Sequence, residues 1–195
     1  MTSFRKYFLL FLLAVAFAHP MAAARAQNAL KPPVTAILDM RVILRDSIAG
    51  KAWQDYYNAQ RKSHKDQIAA EEQALRTAWD ELNRQKSILA PQAFQTRERS
   101  FKEMEAAARR KIGTMEQELS RSLRATLAEV RRAMDEKLGP ILDQMVKDRG
   151  IDMIISNQDL IFFRKDYDVT GEVLQRLNKA LPRLDVPALA AKAKK

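Results

Sequence analysis

Side chains able to carry catalysis are scarce in this chain. It has no cysteine and only two histidines, His19 and His64, so composition alone excludes disulfides, thiolate nucleophiles and thiolate metal sites. His64 falls inside a long charged run, and neither a glycine-rich phosphate loop nor the His-Glu-x-x-His metal spacing occurs. Carboxylates are plentiful, but many stand four residues ahead of a base: Asp80 before Arg84, Glu98 before Lys102, Glu105 before Arg109, and Asp143 before Lys147. On a helix that spacing puts acid and base on one face, where each pair adds roughly 0.2 to 0.5 kcal/mol of support. The carboxylates therefore read as structural. No enzyme, cofactor or metal is expected.

The chemistry on offer is electrostatic and apolar binding. Between Arg76 and Lys111 nine basic residues face five acids (Asp80, Glu81, Glu98, Glu103, Glu105), a balance of +4. The run has two readings: a solvated helix surface, or a capture surface for acidic polypeptides that touches anionic head groups at its tip. Capture of this kind weakens as salt rises. The candidate contacts are Trp79, Arg84, Lys86, Arg97, Arg99, Lys102, Arg109 and Arg110. Trp79 stands one step off the Leu75 to Leu82 row and is the candidate exposed anchor, whereas Phe94 and Phe101 fit a helix seam. Trp53, Tyr56 and Tyr57 read as packing or cavity-wall residues.

Long helices must position these residues. From Ser47 to Leu89 there is no proline, and Gly50 lies in the first turn, so one helix of about 43 residues is expected, roughly 64 Å long. Ile68, Leu75, Leu82 and Leu89 recur every seven residues, while Tyr57, His64, Glu71, Ala78 and Gln85 fill the companion positions. Such a seam pairs two helices but is too lean for a deep core. Ala90-Pro91 breaks the run and suits the start of a second helix. The chain then returns towards Gly150, with Phe94, Phe101, Ala108 and Met115 at seven-residue spacing and Ile112 and Leu119 beside them. An antiparallel hairpin is expected, with its tip near residues 90–91.

From Leu119 to Met145 the apolar steps become 4, 4, 3, 4, 4, 3, 4, an eleven-residue pattern that straightens the supercoil. The stretch is richer in large apolar residues and is expected to approach the base of the arm. Gly139-Pro140 is expected to kink it or mark a junction, and Gly150 to end it in a left-handed cap. Val34–Leu38 reads as a strand, followed by a short helix capped by Asp39. Ile151–Ile155 and Leu160–Phe163 read as a strand hairpin around Asn157-Gln158-Asp159, and Asp168 or Thr170 as the cap of a last helix ending near Leu181-Pro182. Residues 185–195 are expected to be a disordered tail. Three short strands cannot stand alone, so a homo-oligomer is expected.

The N-terminus carries Arg5 and Lys6, eleven apolar residues from Phe8 to Ala18, and Ala24-Arg25-Ala26. That is the layout of a secretory signal peptide over residues 1–26, with cleavage expected before Gln27. The rival reading is a retained anchor, although a spanning helix needs roughly 18 or more apolar residues. Cleavage leaves 31 basic and 24 acidic residues, a charge of +7, which favours anionic partners; nucleic acid is not expected for an exported protein.

The order of pieces resembles the OmpH family of periplasmic chaperones. Those pieces are a signal peptide, a strand ending in Asp39-Met40, Gly50-Lys51 entering a long charged helix, and a break at Pro91. After them come Arg149-Gly150-Ile151-Asp152, a hairpin, and Asp168-Val169-Thr170 ahead of Leu177-Asn178. The similarity spans about residues 34 to 184. The resemblance implies a mainly α protein with a small β part: a long antiparallel helical-hairpin, coiled-coil arm on a small β-barrel-like oligomerisation body. The arm would be residues 47–138, and the trimerisation body residues 27–46 and 139–184. It further implies a soluble periplasmic homotrimer that holds unfolded outer-membrane proteins in a cavity between the arms without ATP. Lipopolysaccharide or other anionic lipid head groups are further partners it allows, although no motif here carries over the family's lipopolysaccharide contacts. The competing reading is a structural coiled-coil spacer of the cell envelope, tethered if residues 8–18 are retained.

Overall fold

The structure is a computed structural model describing residues 31–193. The expected signal segment and its cleavage point lie outside the described residues. Regular structure begins with β1 (Thr35–Leu38). Asp39 then caps α1 (Met40–Asp46), its carboxylate accepting the amide hydrogens of Arg41 and Val42, first-turn donors that a helix cannot satisfy by itself. Ser47 ends α1 and caps α2 (Ile48–Gln85), its hydroxyl accepting from the Gly50 amide at 3.0 Å. Only glycine fits at position 50, because a β-carbon there would lie 1.8 Å from the Leu44 carbonyl oxygen.

At 38 residues α2 is shorter than the expected 43. The Gln85 carbonyl accepts from both Ile88 and Leu89 at 3.0 Å, closing a turn in place of a further helical turn. Pro91 is the cause: it holds Ala90 in an extended conformation, with ψ at 147°, and so forbids a continuous helix. Pro91 itself opens α3 (Pro91–Arg149), 59 residues long. Gly139-Pro140 is not the expected junction, since α3 remains helical through Pro140. One ladder bond is forfeited there, and burial of Leu138 and Met145 on either side outweighs it.

The two long helices pack together, and their contacts descend one as they climb the other: Glu71 is ion-paired with Lys111, and Trp79 stacks on Phe101. Positions on α2 withdrawn from solvent step by three and four residues from Trp53 through Tyr57, Gln60, His64 and Ile68, as a helix seam requires. Polar companions keep that seam thin. Between Gly50 and Leu82 on α2, and between Ala108 and Thr126 on α3, no residue is buried.

The core lies at the other end of α3. Gly150, at φ 60°, supplies the left-handed cap that lets Ile151 return a hydrogen bond to the Val146 carbonyl at 3.1 Å. β2 (Met153–Ser156) then pairs with β1 in parallel, Thr35 opposite Met153 and Leu38 opposite Ser156. The strand hairpin expected from Ile151 to Phe163 does not form. A 3-10 turn at Asn157–Asp159 is capped by the Ser156 hydroxyl and redirects the chain, and the Asn157 side chain is drawn onto Asp39. Leu160–Phe163 is therefore not a strand, and Ile161 and Phe162 point fully into solvent.

A second 3-10 turn, Lys165–Tyr167, leads to α4 (Thr170–Ala180). Asp168 contributes by accepting from the Thr170 amide at 2.9 Å, and the Leu181 amide closes the helix on the Leu177 carbonyl. Ile43, Val130, Met134, Met145, Val173, Leu177 and Val186 are the largest fully buried apolar side chains among the described residues, each contributing about 1.5 to 3 kcal/mol. The presence of Val186 corrects the expected disordered tail. Residues Val186–Ala193 form a helix, α5, with Val186 and Ala190 buried, because its apolar stripe has the α3 surface to cover.

Candidate interaction surface

The basic run occupies the last turns of α2 and the first third of α3. Trp79 is about half exposed (47%), yet its ring centroid lies 5.3 Å from that of Phe101, tilted by 44°. It is thus both a seam residue and an outward face, a geometry in which one aromatic surface packs and the other stays wet. Leu82 of α2 and Ala108 of α3 are buried.

The charges divide into two groups. Arg84 pairs with Glu81 at 3.4 Å and not with Asp80, because the three-residue step places those two groups closer on this helix face. Lys102 pairs with Glu98 at 2.8 Å and Arg109 with Glu105 at 2.7 Å. Lys111 reaches across to Glu71. The hydrogen bond from Lys102, its charge and the more distant charge of Lys86 together lower the Glu98 carboxyl below its ordinary range. Arg76, Lys86, Arg97, Arg99 and Arg110 are all exposed and form no ion pair among the described residues. The unpaired acids of the run are only Asp80 and Glu103, so the positive excess is concentrated on side chains that form no ion pair. Asp143 and Lys147, expected as a pair, are not one among the described residues.

Trp53 and Tyr56 pack against the core, their rings 6.0 Å apart, and Tyr57 lies 5.9 Å from Trp53. The Arg61 guanidinium lies over the Tyr57 ring at 5.7 Å and donates to its hydroxyl at 3.0 Å. These aromatics are packing residues at the root of the pair. Among the described residues no group of three His, Cys, Asp or Glu side chains gathers as a metal site, and no helix is long and apolar enough to cross a membrane.

Two features escaped the sequence reading. One is the exposure of the apolar side chains Met153, Ile161 and Phe162; the run Leu160–Phe163 was legible as apolar, but its apparent strand character hid its exposure. The other is a polar knot around Asp39. Its carboxylate accepts from Asn157 at 2.7 Å and from the Arg41 amide at 2.9 Å, while its own amide donates to the Thr170 hydroxyl at 2.9 Å. The Asn157 bond, followed by the Arg41 and Val42 contacts, outweighs burial and lowers the Asp39 carboxyl from 3.8 to about 2. Beside it, the Val169 amide donates to the Ile37 carbonyl at 3.0 Å, so the outer edge of β1 is partly occupied.

Residues 34–177 match the family described as outer membrane protein (OmpH-like). Among solved structures, a chain described as an outer membrane chaperone (OmpH-like) from Caulobacter crescentus CB15 superposes with a TM-score of 0.67 at 17% identity, covering 80% of this chain and 90% of that one. At that identity the likeness is one of fold. No curated protein matches the chain.

Proposed function

This chain belongs to the OmpH-like outer membrane protein family, and from that premise we propose that it is an ATP-independent holding chaperone of the periplasm that keeps unfolded outer-membrane proteins from aggregating. On this reading α2 and α3 form an antiparallel arm that presents the basic run. Unfolded client chains are held through Trp79 and the cations Arg84, Lys86, Arg97, Arg99, Lys102, Arg109 and Arg110. The observation that carries the reading is the cluster of unneutralised cations beside a half-exposed tryptophan, set on a helix pair too thinly packed to need all its apolar surface. Many weak contacts of this kind hold by multivalency and release without an energy source.

The proposal extends to assembly. β2 has β1 as its one strand partner among the described residues, and a two-stranded sheet is marginal by itself. Met153 of β2, and Ile161 and Phe162 a few residues on in the chain, are exposed apolar side chains, which supports closure of the small sheet against two further copies into a barrel-like homotrimeric body. Export with removal of residues 1–26 completes the reading. Contact with anionic lipid or lipopolysaccharide head groups would use the same basic run.

The direct test dilutes an unfolded outer-membrane β-barrel protein out of denaturant with and without the purified protein and follows light scattering. Suppressed aggregation, weakening as salt rises, is expected; equal aggregation in both samples overturns the proposal.

A further inference from the structure

The helix α5 lies beyond residues 34–177, the part that matches the family. At eight residues it is too short to persist as a helix in isolation, so its order depends on docking. Val186, Leu189, Ala190 and Ala193, at the i, i+3, i+4, i+7 spacing of one helical face, are the residues it withdraws from solvent. Val186 shares one apolar cluster with Val130 and Met134 of α3. Asp185 caps the helix, accepting from the Ala188 amide at 3.0 Å. At the far end Lys192 reaches Glu129 at 3.4 Å, and Ala193 lies against a cavity shared by Gln60 and His64 of α2 with Ser122 and Ala125 of α3. It therefore touches both long helices, running from the core outward along them.

At the level of Ala193 the pair is flanked by open grooves. The grooves, of about 590 and 710 Å³, both border His64 and Leu119, and this level falls within the stretch where neither long helix buries a residue. Beyond it, the Glu71 to Lys111 pair and the Trp79 to Phe101 contact close the two helices again. We infer that α5 is a strap fixing the root of the α2 and α3 pair, so that opening of the pair begins at His64 and Leu119, beyond the strap, and moves inward only when the strap is released.

Hydrogen exchange read by mass spectrometry tests it, comparing the full chain with one ending at Leu184 and with Ala190→Glu, which puts a charge at a buried position of α5 without deleting any residue of the chain. In both variants exchange is expected to quicken roughly tenfold or more over residues 53–64 and 122–134. Residues 71–82 and 101–111, and the strands and α4, should keep their rates. Unchanged rates over 53–64 and 122–134 in Ala190→Glu overturn the strap. So does an equal acceleration everywhere in that variant, because α5 would then be an ordinary part of one cooperative core.

Discussion

The carboxylate of Asp39 accepts a hydrogen bond from the side-chain amide of Asn157 at 2.7 Å across 118 residues of sequence. That bond joins the end of β1 to the turn after β2. With the Thr170 hydroxyl accepting from the Asp39 backbone amide, it ties three segments of the base to one residue.

Acid stability should reflect this knot. A carboxyl lowered to about 2 in the folded protein, against 3.8 ordinarily, contributes stability that is fully present above pH 3.8 and lost as pH falls through about 2. The contribution is about 2 kcal/mol. Asp39→Asn is therefore expected to be less stable than the wild type near neutral pH and to converge with it between about pH 5 and pH 2. Urea melts across that range check it; a constant gap at every pH would remove Asp39 as the source.

Glycine substitutions should separate by position. Gly50→Ala places a methyl against the Leu44 carbonyl oxygen and is expected to cost about 3 kcal/mol. Gly113 lies inside α3 and a β-carbon there would meet no group outside its own stretch of helix within 4 Å, so alanine should stabilise by about 1 kcal/mol. Thermal melts by circular dichroism read both signs.

Trp79 and Phe101 should be energetically coupled. A double-mutant cycle of Trp79→Ala and Phe101→Ala is expected to give a coupling of roughly 0.5 to 1.5 kcal/mol in denaturant melts. Strictly additive effects would mean that the 5.3 Å ring contact contributes nothing beyond buried area.

Charge removal should distinguish free from paired cations. On the proposed function, Arg97→Gln with Arg99→Gln is expected to weaken holding of an acidic unfolded client several-fold more than Lys102→Gln with Arg109→Gln. The second pair already spends its charge on Glu98 and Glu105. Fluorescence titration at low salt measures the difference, and equal losses would show that pairing is irrelevant to capture.

What the chain makes legible by itself is periodicity and punctuation. The three-and-four stepping from Tyr57 to Leu82, the stop at Ala90-Pro91, the Asp39 cap and the Gly150 terminus are all local, because a helix is specified by residues within one or two turns of each other. The candidate cations were equally visible, since charge needs only composition.

Tertiary structure decided the rest. Whether Leu160–Phe163 becomes a strand depends on Asn157 finding Asp39, and whether β2 pairs in parallel depends on β1, more than a hundred residues earlier. Residues 185–193 carry too few large side chains to order themselves, and fold because α3 offers apolar surface to cover. Which cations keep a free charge turned on whether an acid stood three or four residues away on the real helix face, as Arg84 shows by choosing Glu81 over Asp80. Each of these outcomes rests on a partner distant in sequence or on side-chain geometry, and neither leaves a local signature in the order of residues.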